Sequence, residues 1–162
     1  MSNLPHELLF STLMVGLTVV IHLAGLDVLL SLTGLHLKFF KSAWVRLDRL
    51  LVPLGIVLGL FVVHGLEIWL YAFAYLALGL MPDLEQALYF STSAYSTIGE
   101  AGAVMPVYWR VVGVLEGVNG MLLIGWSTAF LFQILEHLLA VSDHHEIPRG
   151  AIAHRRQRHP RS

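Results

Sequence analysis

The chain has 162 residues, 56% of them hydrophobic and 13% charged, with a mean hydropathy of +0.70. A soluble domain carries roughly 25% charged residues, so the composition excludes an ordinary water-soluble fold and points to an integral membrane protein. There are no cysteines, which excludes disulfides and thiolate metal sites, and a net charge of −1 says less than the distribution of the charges.

The opening residues, MSNLPHELLF, lack the basic n-region of a secretory signal. The first apolar run, Leu8 to Leu35, is therefore expected to stay in the membrane, and residues 1–37 form an N-terminal transmembrane helix. About 20 apolar residues suffice for one crossing. Gly16, His22, Gly25 and Asp27 lie inside this run. In the following HLKFFKSAWVRLDRL, Lys38, Lys41, Arg46 and Arg49 alternate with Phe39, Phe40, Trp44 and Leu47. That pattern predicts an interfacial amphipathic helix over 38–50, lying at the lipid headgroups. The second run, Leu51 to Met81, is long for a single crossing and should tilt or extend past the hydrocarbon. It carries His64 and Glu67 near its middle.

Met81-Pro82-Asp83 ends that run and starts a short helix, Asp83 to Tyr95. Ala87 to Pro106 is neither apolar enough to span a bilayer nor polar enough for an ordinary loop. Its second half, Thr97-Ile98-Gly99-Glu100-Ala101-Gly102, is a turn punctuated by glycine. Irregular backbone at membrane depth is tolerated only where protein buries it or water lines it, so this stretch predicts a re-entrant segment beside a pore. The third run, Val111 to Val141, contains Glu116, Gly117, Asn119, Gly120 and Gly125. Residues 142–162 form a basic, His-rich tail, expected to be poorly ordered.

Four of the ten Lys and Arg fall in residues 38–49, one is Arg110, and five fall in 149–161. The positive-inside rule places the first and last groups in the cytoplasm, with the N-terminus and residues 82–110 outside. The expected fold is all-α: three transmembrane helices, a re-entrant pore helix and an interfacial helix, in a plasma or inner membrane.

ALYFSTSAYSTIG (Ala87–Gly99) resembles the pore helix and the start of the selectivity filter in potassium-channel pore domains. Thr97, Ile98 and Gly99 match the Thr-Val-Gly of that family, and Pro106 matches the proline after its filter. Trp109-Arg110 resembles the start of the inner helix, and the glycines of GMLLIG (Gly120–Gly125) resemble its hinge. The resemblance makes 51–141 a pore domain and implies a homotetramer that conducts a cation, K⁺ or another mono- or divalent ion. It implies a filter at Thr97–Gly102, a pore lining of Met121, Ile124, Thr128 and Phe132, a hinge at Gly120, and filter support from Glu116 and Asn119. Glu100-Ala101-Gly102 departs from the family's Tyr-Gly-Asp. Glycine at the replaced position allows backbone conformations closed to residues with a Cβ, so potassium selectivity is not carried over. Four Glu100 carboxylates at the outer mouth would attract cations and favour a non-selective or divalent-permeant pore.

His64 and Glu67, three apart on one helix face, read either as a proton-sensitive or ion-binding pair or as a bonded contact to a neighbouring helix. His22 and His64 lie at matching depth on antiparallel neighbours, which offers an alternative: a bis-His b-type haem bundle. A non-conducting relative of the channels is a second alternative. His144, His145, His154 and His159 stand with five arginines in the tail, which suggests anionic-lipid contact or loose metal binding. No phosphate loop, G-x-S-x-G or H-E-x-x-H motif occurs, so no enzyme activity is expected. The expected partners are further copies of the chain and the bilayer, with no nucleic acid, no resident cofactor and no metal site.

Overall fold

The computed structural model describes residues 4–39, 45–99 and 105–143. They form helices α1 (Leu4–Phe39), α2 (Val45–Ala77), α3 (Leu84–Tyr95) and α4 (Arg110–Asp143), with a single 3₁₀ turn at Val107–Trp109 leading into α4. No strand occurs among the described residues. Three of the helices are long and apolar enough to cross a membrane, over Leu4–Gly34, Leu51–Ala77 and Val107–Glu136. Their outward faces are apolar too: Leu13, Phe61 and Leu122 are 64%, 76% and 64% exposed. Such a surface suits lipid as the solvent, and several hydroxyls are withdrawn from it. Thr12, Thr33 and Thr128 each donate to the carbonyl four residues back, at 2.8–2.9 Å.

The predicted interfacial helix is not a separate element. Its first two residues belong to the end of α1 and residues 45–50 open α2, while residues 40–44 lie outside the described residues. The helical period of 45–50 runs straight on into the apolar span, with Pro53 accommodated inside α2. Amphipathic pattern alone did not mark a boundary there.

The end of α2 is set by its cap. Gly79 (φ +66°) follows the last turn, with Gly79 N–H donating to Leu76 O and Leu80 N–H to Tyr75 O, both at 2.9 Å. This is the Schellman arrangement, in which a left-handed residue lets the chain bond the last carbonyls. Asp83 then caps α3: its carboxylate accepts from the Gln86 backbone N–H at 2.8 Å and from the Gln86 side chain at 3.1 Å. The predicted boundaries of the short helix are thereby met within one residue.

Both α1 and α3 pack on the pair formed by α2 and α4. Buried Ala87, Phe90, Ser91, Ala94 and Tyr95 repeat at helical spacing and turn one face of α3 into the protein. α4 meets that face with three glycines. A Cβ on Gly113 would lie 2.8 Å from the Phe90 ring, and one on Gly117 2.9 Å from Ala94 O. One on Gly120 would collide with the Tyr95 carbonyl. Small residues let helix backbones approach in lipid, and here they let the second half of α3, Phe90 to Tyr95, sit against α4.

This packing separates two glycines of the same helix. Gly120→Ala should lower stability by about 1–3 kcal/mol, the range for forcing extra atoms into a packed contact, because the opposing atom is backbone. Gly125→Ala, with nothing within 4 Å of its Cβ, should be neutral or stabilising. Thermal unfolding of the purified protein in detergent distinguishes the two.

Candidate pore segment and its buried polar supports

Beyond Tyr95 the chain leaves the helix abruptly. Thr97 adopts φ 62° and Gly99 φ 81°. Left-handed backbone is easy for glycine but costs a β-branched residue such as threonine of order 1–3 kcal/mol. The turn recovers part of that cost by hydrogen bonding: Thr97 N–H donates to Ala94 O and Ile98 N–H to Ser93 O, each at 3.0 Å. Ile98 is 72% exposed at the end of this turn. Glu100, Ala101 and Gly102, the remainder of the expected filter, lie outside the described residues.

Beside the turn is an open groove of about 430 Å³ lined by Thr97, Gly99, Gly113, Val114, Val118 and Met121. The four residues expected to line a pore share an exposed side of α4: Met121 is 57% exposed, Ile124 41% and Phe132 61%, and Thr128 is exposed as well. Gly120 is buried against Tyr95, and α4 runs unbroken through it.

Glu116 and Asn119 were expected to brace the filter from behind, and they do different things. Glu116 is fully buried and accepts from Tyr75 Oη on α2 and from Ser91 Oγ on α3, each at 2.5 Å. Ser91 Oγ also lies 2.9 Å from Ile68 O. The carboxylate thus joins α4, α2 and α3 at the middle of the short helix. Asn119 instead donates from Nδ2 to Thr18 Oγ1 on α1 at 2.8 Å. That bond goes to the N-terminal helix.

A second cluster lies deeper along α2. Glu67, fully buried, has Oε1 3.0 Å from His22 Nδ1 and Oε2 3.2 Å from His64 Nδ1. Tyr95 Oη donates to Glu67 Oε2 and lies 2.8 Å from His64 Nδ1. On the other side of the imidazoles, Ser127 Oγ is 2.9 Å from His64 Nε2 and 3.3 Å from His22 Nε2. The two imidazole rings are 5.3 Å apart, and His22 also touches Trp126. The cluster draws one or two residues from every helix.

His22, His64 and Glu67 stand out in the sequence as ionisable groups inside apolar runs. Tyr75, Ser91, Tyr95 and Ser127 did not, because hydroxyls are unremarkable there. A signal was present: Ser91 and Tyr95 are four apart, and Glu116, Asn119 and Ser127 follow one line of α4 at helical spacing. Comparison with protein-family models, curated proteins and solved structures finds no match.

If Glu116 is the brace of α3, its two donors should be coupled. Tyr75→Phe and Ser91→Ala should each cost about 1–3 kcal/mol, the range for leaving a buried acceptor short of a partner. The double variant should depart from additivity by at least 0.5 kcal/mol. Unfolding of the four proteins in one detergent measures the coupling.

Proposed function

We propose that the chain is one subunit of a homotetrameric cation channel with a non-standard filter. The observation that carries this reading is the shape of the segment from α3 to Gly99. A 12-residue helix is wedged between two helices of membrane length, bonded to both through Glu116, and it ends in a left-handed Thr97 with Ile98 presented outward. One such segment per chain cannot enclose an axis, so a closed ring of copies would complete the pore. The exposed side of α4 then becomes the inner lining through Met121, Ile124, Thr128 and Phe132, where a bulky apolar ring would gate by dewetting. Gly120 supplies the hinge of the resembling channels in this reading, and bending there would be coupled to the contact with Tyr95.

The N-terminus and the loop between α3 and α4 lie outside, and the tail lies in the cytoplasm with its arginines at anionic lipid. Thr97 and Ile98 contribute inner rings of carbonyls, and Glu100 contributes a ring of carboxylates at the mouth. The permeant ion is K⁺ or another mono- or divalent cation. A haem between His22 and His64 would have to part rings that now sit 5.3 Å apart and displace Ser127, whose hydroxyl lies 2.9 and 3.3 Å from the two Nε2 atoms. That geometry favours the pore reading over the haem bundle.

Reversal potentials in planar bilayers under asymmetric salt test the proposal. The expected result is cation over anion permeability with little preference for K⁺ over Na⁺, and Glu100→Gln should weaken block or permeation by divalent ions about tenfold. A clear anion preference would refute the proposal. A tetramer that conducts nothing would make the chain a non-conducting relative.

A further inference from the structure

The cluster around Glu67 brings several lone pairs together around few hydrogens. With Glu67 ionised and both histidines neutral, each imidazole carries one N–H. His22 uses its proton on Nδ1 toward Glu67 Oε1, leaving Nε2 to accept from Ser127. If His64 protonates Nδ1, its Nε2 lone pair meets the same Ser127 oxygen at 2.9 Å, and that hydroxyl has only one proton to give. If it protonates Nε2, its Nδ1 lone pair faces Glu67 Oε2 at 3.2 Å. Either way one buried contact lacks a hydrogen. One more proton, on an imidazole or on Glu67, or a metal ion would complete the set.

The geometry points to a divalent transition-metal site, Zn²⁺ or a similar first-row ion, held by His22 Nδ1, His64 Nδ1, the Glu67 carboxylate and Tyr95 Oη. His22, His64 and Glu67 each offer a ligand atom, and these three atoms lie within 4.8 Å of one another. A tetrahedral ion with bonds of about 2.0–2.1 Å places its ligand atoms about 3.3 Å apart. Here the His22–Glu67, His64–Glu67 and His64–Tyr95 pairs stand at 3.0, 3.2 and 2.8 Å. Tyr95 Oη and Glu67 Oε2 are closer than that separation, so Tyr95 must move outward for both to be ligands. Two imidazoles, a carboxylate and a phenolate suit zinc-like ions, whereas calcium and magnesium favour six or more oxygens.

Ser127 fits the same assignment. A histidine bound to metal through one nitrogen donates its other N–H to a second partner. With both Nδ1 atoms on the ion, both Nε2 atoms carry protons, and both reach the one Ser127 oxygen. The charge also closes. A divalent ion with one carboxylate, one phenolate and two neutral imidazoles is neutral overall, which a site at this depth demands. Without metal, neutrality is met by one further proton, on an imidazole or on the Glu67 carboxyl. The ion therefore replaces two protons, that one and the proton of the Tyr95 hydroxyl, while His22 carries its proton on Nε2. His22, Glu67 and Tyr95 are at most 1% exposed. His64, with 17% of its side chain exposed, is the ligand an arriving ion would meet first. The site ties α1 and α2 to the last residue of α3, whether or not the following turn conducts.

The test uses the full chain in detergent with the tail changed by His144→Gln, His145→Gln, His154→Gln and His159→Gln, which removes competing ligands. After chelator treatment, Co²⁺ is titrated as the probe. One Co²⁺ should remain per chain after gel filtration, with the intense visible bands of four-coordinate cobalt, and Zn²⁺ should displace it. Ser127→Ala, which touches no ligand bond to the ion, should weaken binding about 10- to 100-fold. Tyr95→Phe should weaken it and shift the bands. Failure to retain cobalt, the pale spectrum of six-coordinate cobalt, or unchanged affinity in Glu67→Gln would each overturn the assignment. Should Glu67→Gln not fold, the parent spectrum and the Ser127→Ala affinity decide.

Discussion

The buried carboxylate of Glu67 is the constraint from which much of this fold follows. An ionisable group inside an apolar helix is costly and must find partners within protein. Glu67 meets His22 of α1, His64 of its own helix and Tyr95 of α3, and Ser127 of α4 closes the ring behind the imidazoles. With lipid tails as apolar as the side chains they touch, greasy surface gives helices little reason to choose one neighbour over another. A polar cluster that is satisfied only when all four helices converge gives them that reason. The Thr18–Asn119 bond adds a second point where α1 is fixed to α4.

Glu116 repeats the logic one level away and applies it to the short helix. Ser91 and Tyr95 both lie on the inward face of α3, and each hydroxyl meets a carboxylate on a long helix. Two carboxylates thus hold an element too short to be fixed by its own burial. Gly113, Gly117 and Gly120 permit the close approach that these bonds require. The result is a rigid platform ending at Tyr95, from which the chain turns through a left-handed Thr97.

Much of this architecture was legible in the sequence, for reasons that differ by element. The three long helices were plain because apolar runs of that length have few other uses. The limits of α3 were readable because Asp83 with Gln86 is a local capping signal. The interfacial helix failed as a separate element because alternating charge and aromatic residues fix a face, not an end. The glycines were read as a hinge from their spacing, whereas Gly120 also meets the Tyr95 carbonyl, a contact that only tertiary structure reveals. Glu116 stood out as a buried carboxylate and meets Ser91 of α3, yet Asn119, three residues on, turns to α1 because helical spacing allowed either neighbour. Where α1 packs was hinted at only by the matching depth of His22 and His64, whose rings are 5.3 Å apart, whereas Glu67 as the partner 3.0 Å from His22 was not legible.

The account rests most heavily on Thr97–Gly99 facing an axis shared with other copies of the chain. A single-particle density map of the full chain in lipid nanodiscs tests this directly. Four subunits should surround a central axis, with Thr97, Ile98 and Gly99 lining it and Met121 and Phe132 of α4 below them. A monomer, or an assembly in which Thr97–Gly99 face lipid while another surface lines the axis, would contradict the account.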